Sequence, residues 1–355
     1  MNRFGNKLVV TIFGESHGPA VGVVLDGVKP GIPLTEADFA ADVDRRRSGA
    51  PGTTPRREAD VPEILSGVHE GHTTGAPLAV IFRNGNTRSG DYDLFKAVPR
   101  PGHADYVAGL KFDGFQDPRG GGHFSGRLTL PLVAAGVVAK KMLSCNISAR
   151  LVEVGGSADP AAWDGLIAAA AADGDSLGGI VECTVKDVPA GLGEPFFDSV
   201  ESLLSHAVFA IPGVRGIEFG DGFSAARLRG SQHNDALAPA PSPSFQPAGL
   251  SSSSPAPSPS FPGLSRESSL RPATSHAGGI NGGLTNGGDI VFRVAFKPTS
   301  SIRKAQETWN LAEGRPDTLV CPGRHDACFA LRTPVVVEAV TALVLADLSG
   351  GVYAH

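Results

Sequence analysis

Two apolar runs, residues 8–13 and 20–26, are joined by six residues, Gly14-Glu15-Ser16-His17-Gly18-Pro19. Both runs are rich in β-branched side chains, and glycine near each end of the connection lets the backbone reverse. The chain is therefore expected to open with an antiparallel hairpin whose tip offers an acid, a hydroxyl and an imidazole. Two readings of that tip stand. One is a functional loop on a rigid scaffold; the other is a turn whose histidine faces solvent.

The 355 residues, 41% hydrophobic, are enough to bury a substantial core. Lys and Arg total 31 against 36 Asp and Glu, a net charge of −5. That balance argues against nucleic acid or an anionic membrane as a general partner, while leaving room for local basic clusters that take phosphate. The stretch before Gly14 is too short in apolar residues for a secretory leader, and no apolar run is long enough to span a bilayer. With four cysteines, the expectation is a soluble cytoplasmic protein with reduced thiols.

Along the chain, Thr35 with Asp38 at N3 predicts a capped helix through Val43. Short strands are expected near residues 63–67 and 78–82. Residues 84–122 lack periodicity, yet carry Arg88, Arg100, His103, Asp105 and Arg119, so this long irregular region is read as functional. Gly120-Gly121-Gly122-His123-Phe124-Ser125 should open a helix through Lys141. Then come a strand at 147–154, a helix from Asp159-Pro160 closed by Gly174, a strand at 179–188, a helix capped by Asp198 with Glu201, and a strand at 216–220.

Residues 236–274 break this pattern. Ala240-Pro241-Ser242-Pro243-Ser244-Phe245 recurs as Ala256-Pro257-Ser258-Pro259-Ser260-Phe261. So much Pro and Ser cannot build a core, which leaves a mobile surface insertion or a linker between domains. Beyond it, Ile290, Phe292, Val294 and Phe296 alternate with more polar neighbours, as in a half-buried strand. Thr333-Pro334 should start an apolar helix to about Leu348.

Arg45-Arg46-Arg47, Arg100, Arg127 and Arg324 sit in Gly- or Ser-rich surroundings, and guanidinium forks suit phosphate oxygens. The alternative for the Arg run is a solvated helix end that complements the helix dipole. Neither a P-loop nor a dinucleotide fingerprint is present. His17, His103 and His325-Asp326 are acid–base candidates. Cys321 and Cys328 fit no standard zinc spacing, so no metal site is expected.

Taken together, the motifs resemble those of the chorismate synthase family. They are Phe13-Gly14-Glu15-Ser16-His17-Gly18, Asp44-Arg45-Arg46-Arg47, Arg100-Pro101-Gly102-His103-Ala104-Asp105-Tyr106, Arg119-Gly120-Gly121-Gly122, and Val188-Pro189-Ala190-Gly191-Leu192-Gly193-Glu194-Pro195. Ala277-Gly278-Gly279-Ile280, Lys297-Pro298-Thr299-Ser300-Ser301-Ile302 and Gly323-Arg324-His325-Asp326 complete the set, in order along nearly the whole chain.

The resemblance implies an α+β fold, a β-α-β sandwich in a single large domain covering 1–355, with 236–274 as a low-complexity loop. It also implies an anti-1,4 elimination of phosphate from 5-enolpyruvylshikimate 3-phosphate to give chorismate. The family uses reduced FMN, which lends an electron and recovers it without net redox change. By motif, His17 is the acid for the departing phosphate, His103 protonates or holds the reduced flavin, and Asp326 acts with the flavin in removing the C6 hydrogen. Arg46, Arg100, Arg127 and Arg324 take substrate anions or NADP.

Flavin contacts are expected from His123, Phe124, Ser125, His276, Ala277, Gly287, Lys297, Pro298, Thr299, Ser300, Ser301 and Arg324. NADPH enters only as a flavin reductant, with an external flavin reductase as the alternative source of electrons. The assembly implied is a homotetramer, with no nucleic-acid or membrane partner. Two departures stand out. His123-Phe124 replaces the Arg-Ser of many relatives, and Gly52 stands where some carry Arg. The Ser/Pro tract is expected to leave the pocket side near Ala277 loose until ligand binds.

Overall fold

The computed structural model describes residues 2–54, 58–85, 94–239, 270–321 and 325–350. Its first strands are β1 (Arg3–Phe4) and the expected hairpin, β2 (Val9–Gly14) with β3 (Ala20–Asp26), paired antiparallel from Val9↔Asp26 to Gly14↔Val21. At Thr35 the capping box forms with Asp38, but the chain makes a 3-10 turn first and only then the helix α1 (Ala40–Arg46). Next come β4 (Pro62–Ser66), a small ribbon of β5 (Val68–His69) and β6 (His72–Thr73), and β7 (Leu78–Arg83). The first sheet is antiparallel, in the order β1-β2-β3-β7-β4.

The irregular region is less irregular than its composition suggests, because it contains two short helices, α2 (Leu94–Ala97) and α3 (Asp105–Lys111). Gly120 to Ser125 does not open a helix directly. It forms a 3-10 turn, a second turn follows, and α4 (Thr129–Lys141) begins after them. Then come β8 (Asn146–Val154), α5 (Pro160–Ala172) capped by Asp159, β9 (Gly179–Lys186), α6 (Val200–Val208), β10 (Val214–Phe219) and α7 (Gly230–His233). The cap of α6 is Ser199, whose hydroxyl accepts from Ser202 N. Asp198 is not the cap, because Ser199 is the residue with extended backbone at that boundary.

The Ser/Pro tract has firmer ends than expected. β11 (Leu237–Pro239) pairs with β12 (Leu270–Pro272), so only 240–269 lies outside the described residues. The segment beyond it is tied down: Asp235 accepts from His276 N and Ala277 N, each at 2.9 Å. A turn of β13 (Ile280–Asn281) and β14 (Leu284–Thr285) leads to β15 (Ile290–Phe296), which buries Ile290, Phe292, Val294 and Phe296 as its alternation predicts. A hairpin that the sequence reading missed, β16 (Gln306–Asn310) with β17 (Arg315–Leu319), precedes the last helix, α8 (Pro334–Ser349). Thr333 is not its side-chain cap; its hydroxyl turns back to donate to Ala330 O at 2.9 Å.

β10-β15-β9-β8 form a second antiparallel sheet. Between the sheets lie α4 and α8, apolar on all sides and almost wholly buried, as helices in a middle layer must be. They meet closely at Gly136, where a Cβ would overlap Ala339. Buried Glu338 fastens four elements together. It accepts from Arg45 on α1 (2.7 and 2.6 Å), Lys140 on α4 (3.0 Å) and the amide of Ala149 on β8 (3.0 Å).

Candidate active site

At one end of this sandwich a cavity of about 470 Å³ gathers residues that are far apart in sequence. α1 contributes Arg46, the segment leading into β4 contributes Asp60, and the hairpin tip contributes Ser16. The turns before α4 bring Phe124, Ser125 and Arg127; the exit of β15 brings Lys297 to Ser301; and the approach to α8 brings Asp326 and Arg332. A strand end that opens onto a loop leaves backbone and side chains free to face a ligand, which is why these residues meet here.

Among the described residues, the lining carries six Arg or Lys (46, 47, 100, 127, 297, 332) against three Asp or Glu (58, 60, 326). On a chain of net charge −5, this local excess of cations suits an anionic ligand. The cations are held rigidly. Asp60, buried and left-handed at φ 48°, bridges Arg127 Nη1 and Arg46 Nη1, the latter at 3.6 Å. Burial, with Arg332 and Arg127 nearby, pulls the Arg46 guanidinium down to about 9, against the opposing pull of Asp60. It therefore stays charged at neutral pH.

Among the described residues, four buried polar atoms of the lining have no hydrogen-bond partner: Ser16 Oγ, Arg127 Nη2, Thr299 Oγ1 and Arg332 Nε. An unmet buried polar group costs about 1–3 kcal/mol, so these atoms point to a ligand that supplies oxygen acceptors. A phosphorylated flavin and a phosphorylated, carboxylate-bearing substrate both do so, and the residues fit that pair.

His103 is locked by its surroundings. Arg100 grips Asp105 through Nε and Nη2, both at 2.7 Å, and Asp105 Oδ1 lies 2.6 Å from His103 Nδ1. His103 Nδ1 also lies 3.1 Å from Arg100 Nη2; the shorter contact, to the carboxylate, favours a proton on Nδ1. Burial, followed by Arg100, lowers the imidazole pKa below its usual value despite Asp105. Burial alone would raise Asp105, but its bonds from Arg100 and His103 hold it well below the carboxylate range. His103 and Phe124 also border a second cavity of about 420 Å³ beneath α3.

His17 lies just behind this wall. A Cβ on Gly120 would sit 2.6 Å from His17 Cδ2 and 2.8 Å from Ser16 Oγ. Gly120, Gly121 and Gly122 all have left-handed φ (62°, 83° and 52°), and no bulkier residue lets the tip pack this closely. Asp326 is buried at 8% exposure; it accepts from Thr54 N and from Arg332 Nη2, each at 2.8 Å.

Some expected residues lie elsewhere. His123 Nδ1 contacts Gly14 O at 2.7 Å, bracing the hairpin instead of lining the cavity. His276, Ala277 and Gly287 line neither cavity: they stand at the entry of β15, while Lys297 follows its exit, seven residues away along the strand. At about 3.3 Å per residue that is roughly 20 Å. Gly52 is also outside the lining; at φ 81° it packs on Ile167 and Leu331. Arg119 pairs with Asp117 at 2.8 Å on the surface. Arg88 and Arg324 fall outside the described residues. Sequence reading missed Asp60 and Arg332, which sit in no Gly-rich motif; Arg332 stands out only as a charge among apolar or neutral neighbours, and Asp60 is one of several charges in Arg56-Arg57-Glu58-Ala59-Asp60.

The sequence profile of the chorismate synthase family matches residues 8–349. A chorismate synthase of Chitinophaga pinensis is 55% identical over 98% of this chain and 96% of its own length. That of Desulfovibrio desulfuricans is 44% identical over 98% and 96%. A crystal structure of chorismate synthase superposes with a TM-score of 0.68 at 25% identity, covering 97% of this chain and 92% of the other.

Proposed function

The chain belongs to the chorismate synthase family, carbon–oxygen lyases of the shikimate pathway, and from that premise we propose how its cavity serves the elimination. One observation carries the reading: four unmet buried polar atoms and six cations converge on a single cavity. The substrate, 5-enolpyruvylshikimate 3-phosphate, brings a phosphate and carboxylates to meet them.

In the reaction the C3–O and C6–H bonds break and a second ring double bond forms. Arg46, Arg127 and Arg332 neutralise charge on the departing phosphate, with Asp60 fixing the spacing of the first two. His17 supplies the proton as phosphate leaves. Asp326, held in place by Thr54 N and Arg332, receives the C6 proton. Reduced FMN, when bound, supplies the electron density that a base alone lacks at a carbon remote from any carbonyl. Lys297 to Ser301, Phe124, Ser125 and His103, which line the cavity, would hold it. The enzyme works as a cytoplasmic homotetramer, its flavin reduced by an external reductase or by NADPH.

Anaerobic incubation with reduced FMN and substrate should yield phosphate and chorismate in equal amounts; yield without flavin contradicts the cofactor assignment. Oxidised FMN with NADPH distinguishes the two electron sources. His17→Ala should lower turnover by about 10²-fold or more while flavin fluorescence titration stays unchanged. Unaltered turnover removes His17 from the chemistry.

A further inference from the structure

Asn84 does not line the cavity, yet its side chain touches two parts of the machinery at once. It is the first residue past β7, which pairs with β3 as far as Ala20↔Arg83. Its backbone N–H extends that ladder by donating to Pro19 O at 3.1 Å, so the residue is anchored on the sheet beside the hairpin tip. From there Asn84 Nδ2 donates to Glu15 O at 3.0 Å and to Gly18 O at 2.8 Å, the carbonyls on either side of Ser16-His17. Asn84 Oδ1 accepts from Arg127 Nε at 3.0 Å.

The neighbours fix which way this amide points. Two carbonyls can only accept and a guanidinium can only donate, so the NH2 faces the tip and the oxygen faces Arg127. For Arg127 the consequence is geometric. Its planar fork is held at Nε by Asn84 and at Nη1 by Asp60, which stops the plane from turning. Nη2, buried and unmet among the described residues, is the donor left for a ligand. The tip is tied to the turn before α4 through Ser16 N and Gly122 O, and Asn84 ties it to Arg127 as well. We propose that Asn84 is a positioning residue for the elimination, holding the tip that carries His17 and the fork of Arg127 at one fixed spacing. The role rests on the reading of those two groups given above. Proton delivery and charge neutralisation must fall on the same departing phosphate, while His17 and Arg127 come from different elements. A misplacement of about 1 Å in such a pair can cost about 10²-fold in rate, and one short amide on a strand end removes that slack.

The test uses the full-length protein with reduced FMN and substrate, without oxygen. Product from the wild type reports the elimination reading; no product overturns that reading and this role together. Asn84→Ala removes all three side-chain bonds and should lower kcat about tenfold or more. Asn84→Asp matches the native size and keeps an oxygen toward Arg127, but offers no hydrogen to Glu15 O or Gly18 O. It should not restore turnover. In a His17→Ala background, Asn84→Ala should cost only about threefold or less further, because the tip then carries no acid to misplace. Losses that multiply in full, or wild-type turnover in Asn84→Asp, overturn the role while leaving the elimination reading intact. Calorimetry with inorganic phosphate on the protein alone gives a readout apart from turnover. Asn84→Ala should bind it about threefold more weakly or worse, because the Arg127 fork is no longer held in plane. Unchanged phosphate affinity also overturns the role. Each variant is assayed well below its own melting temperature, and Asn84→Asp carries the test if Asn84→Ala does not fold.

Discussion

At the scale of the residue, His103 shows how neighbours set a proton. Burial, aided by Arg100, disfavours the charged imidazole more than Asp105 favours it. Its pKa is thus depressed in the folded protein. The sign follows: the stability tied to its neutral form is complete above about pH 6.5, the unfolded value, and is lost as pH falls through the lower folded value. NMR titration of the ring, assigned with His103→Gln, should give a midpoint below 6.5 for the protein alone and a higher one with inorganic phosphate in the cavity. A midpoint above 6.5 without phosphate contradicts this. The sequence marked His103 through Arg100 and Asp105, three and two residues away, because a short loop can close that triad locally. It gave no such mark to Asp60, whose partners Arg46 and Arg127 come from other segments, nor to Arg332, whose partner Asp326 is six residues away.

Among elements, the turn at Gly120 to Gly122 decides the most. Ser16 N donates to Gly122 O at 3.1 Å, and the left-handed run lets the hairpin tip pack against it. A Cβ on Gly122 would overlap Asp117 O, whereas one on Gly114, at φ 79°, would meet nothing within 4 Å. Gly122→Ala should therefore cost about 2–3 kcal/mol and lower kcat as Ser16 and His17 shift. Gly114→Ala should cost about 1 kcal/mol and leave kcat alone. Equal losses in denaturant midpoint would show that the close packing is unimportant. The glycines were legible as a tight turn, but a helix start was expected there; successive left-handed residues instead delay the helix to Thr129.

For the whole molecule, the described flanks of the Ser/Pro tract form a ribbon outside both large sheets. Its flanks pair as Pro239↔Leu270, so replacing 240–269 by Asn-Gly leaves two residues to close a hairpin. That chain should melt within about 3 °C of the full-length protein and keep kcat/KM within about threefold. A large loss of either would give the tract a structural part. The same ribbon, with Asp235, holds the His276–Ala277 loop in place.

The sequence by itself determined what local forces can set. The opening hairpin, the alternation of β15, the capped start of α5 and the family motifs are all carried by neighbours in the chain, through propensity, strand period and turn chemistry. Only the tertiary structure decided which charges meet. Asp60 between two arginines, Glu338 joining four elements and Asn84 between the hairpin tip and Arg127 are pairings over long sequence separations. Their partners are fixed by the packing of two sheets on a shared pair of helices, which no local pattern encodes. The split between Lys297 and His276 has the same cause: β15 is one continuous strand, and a strand that crosses the sheet puts its two ends at opposite edges.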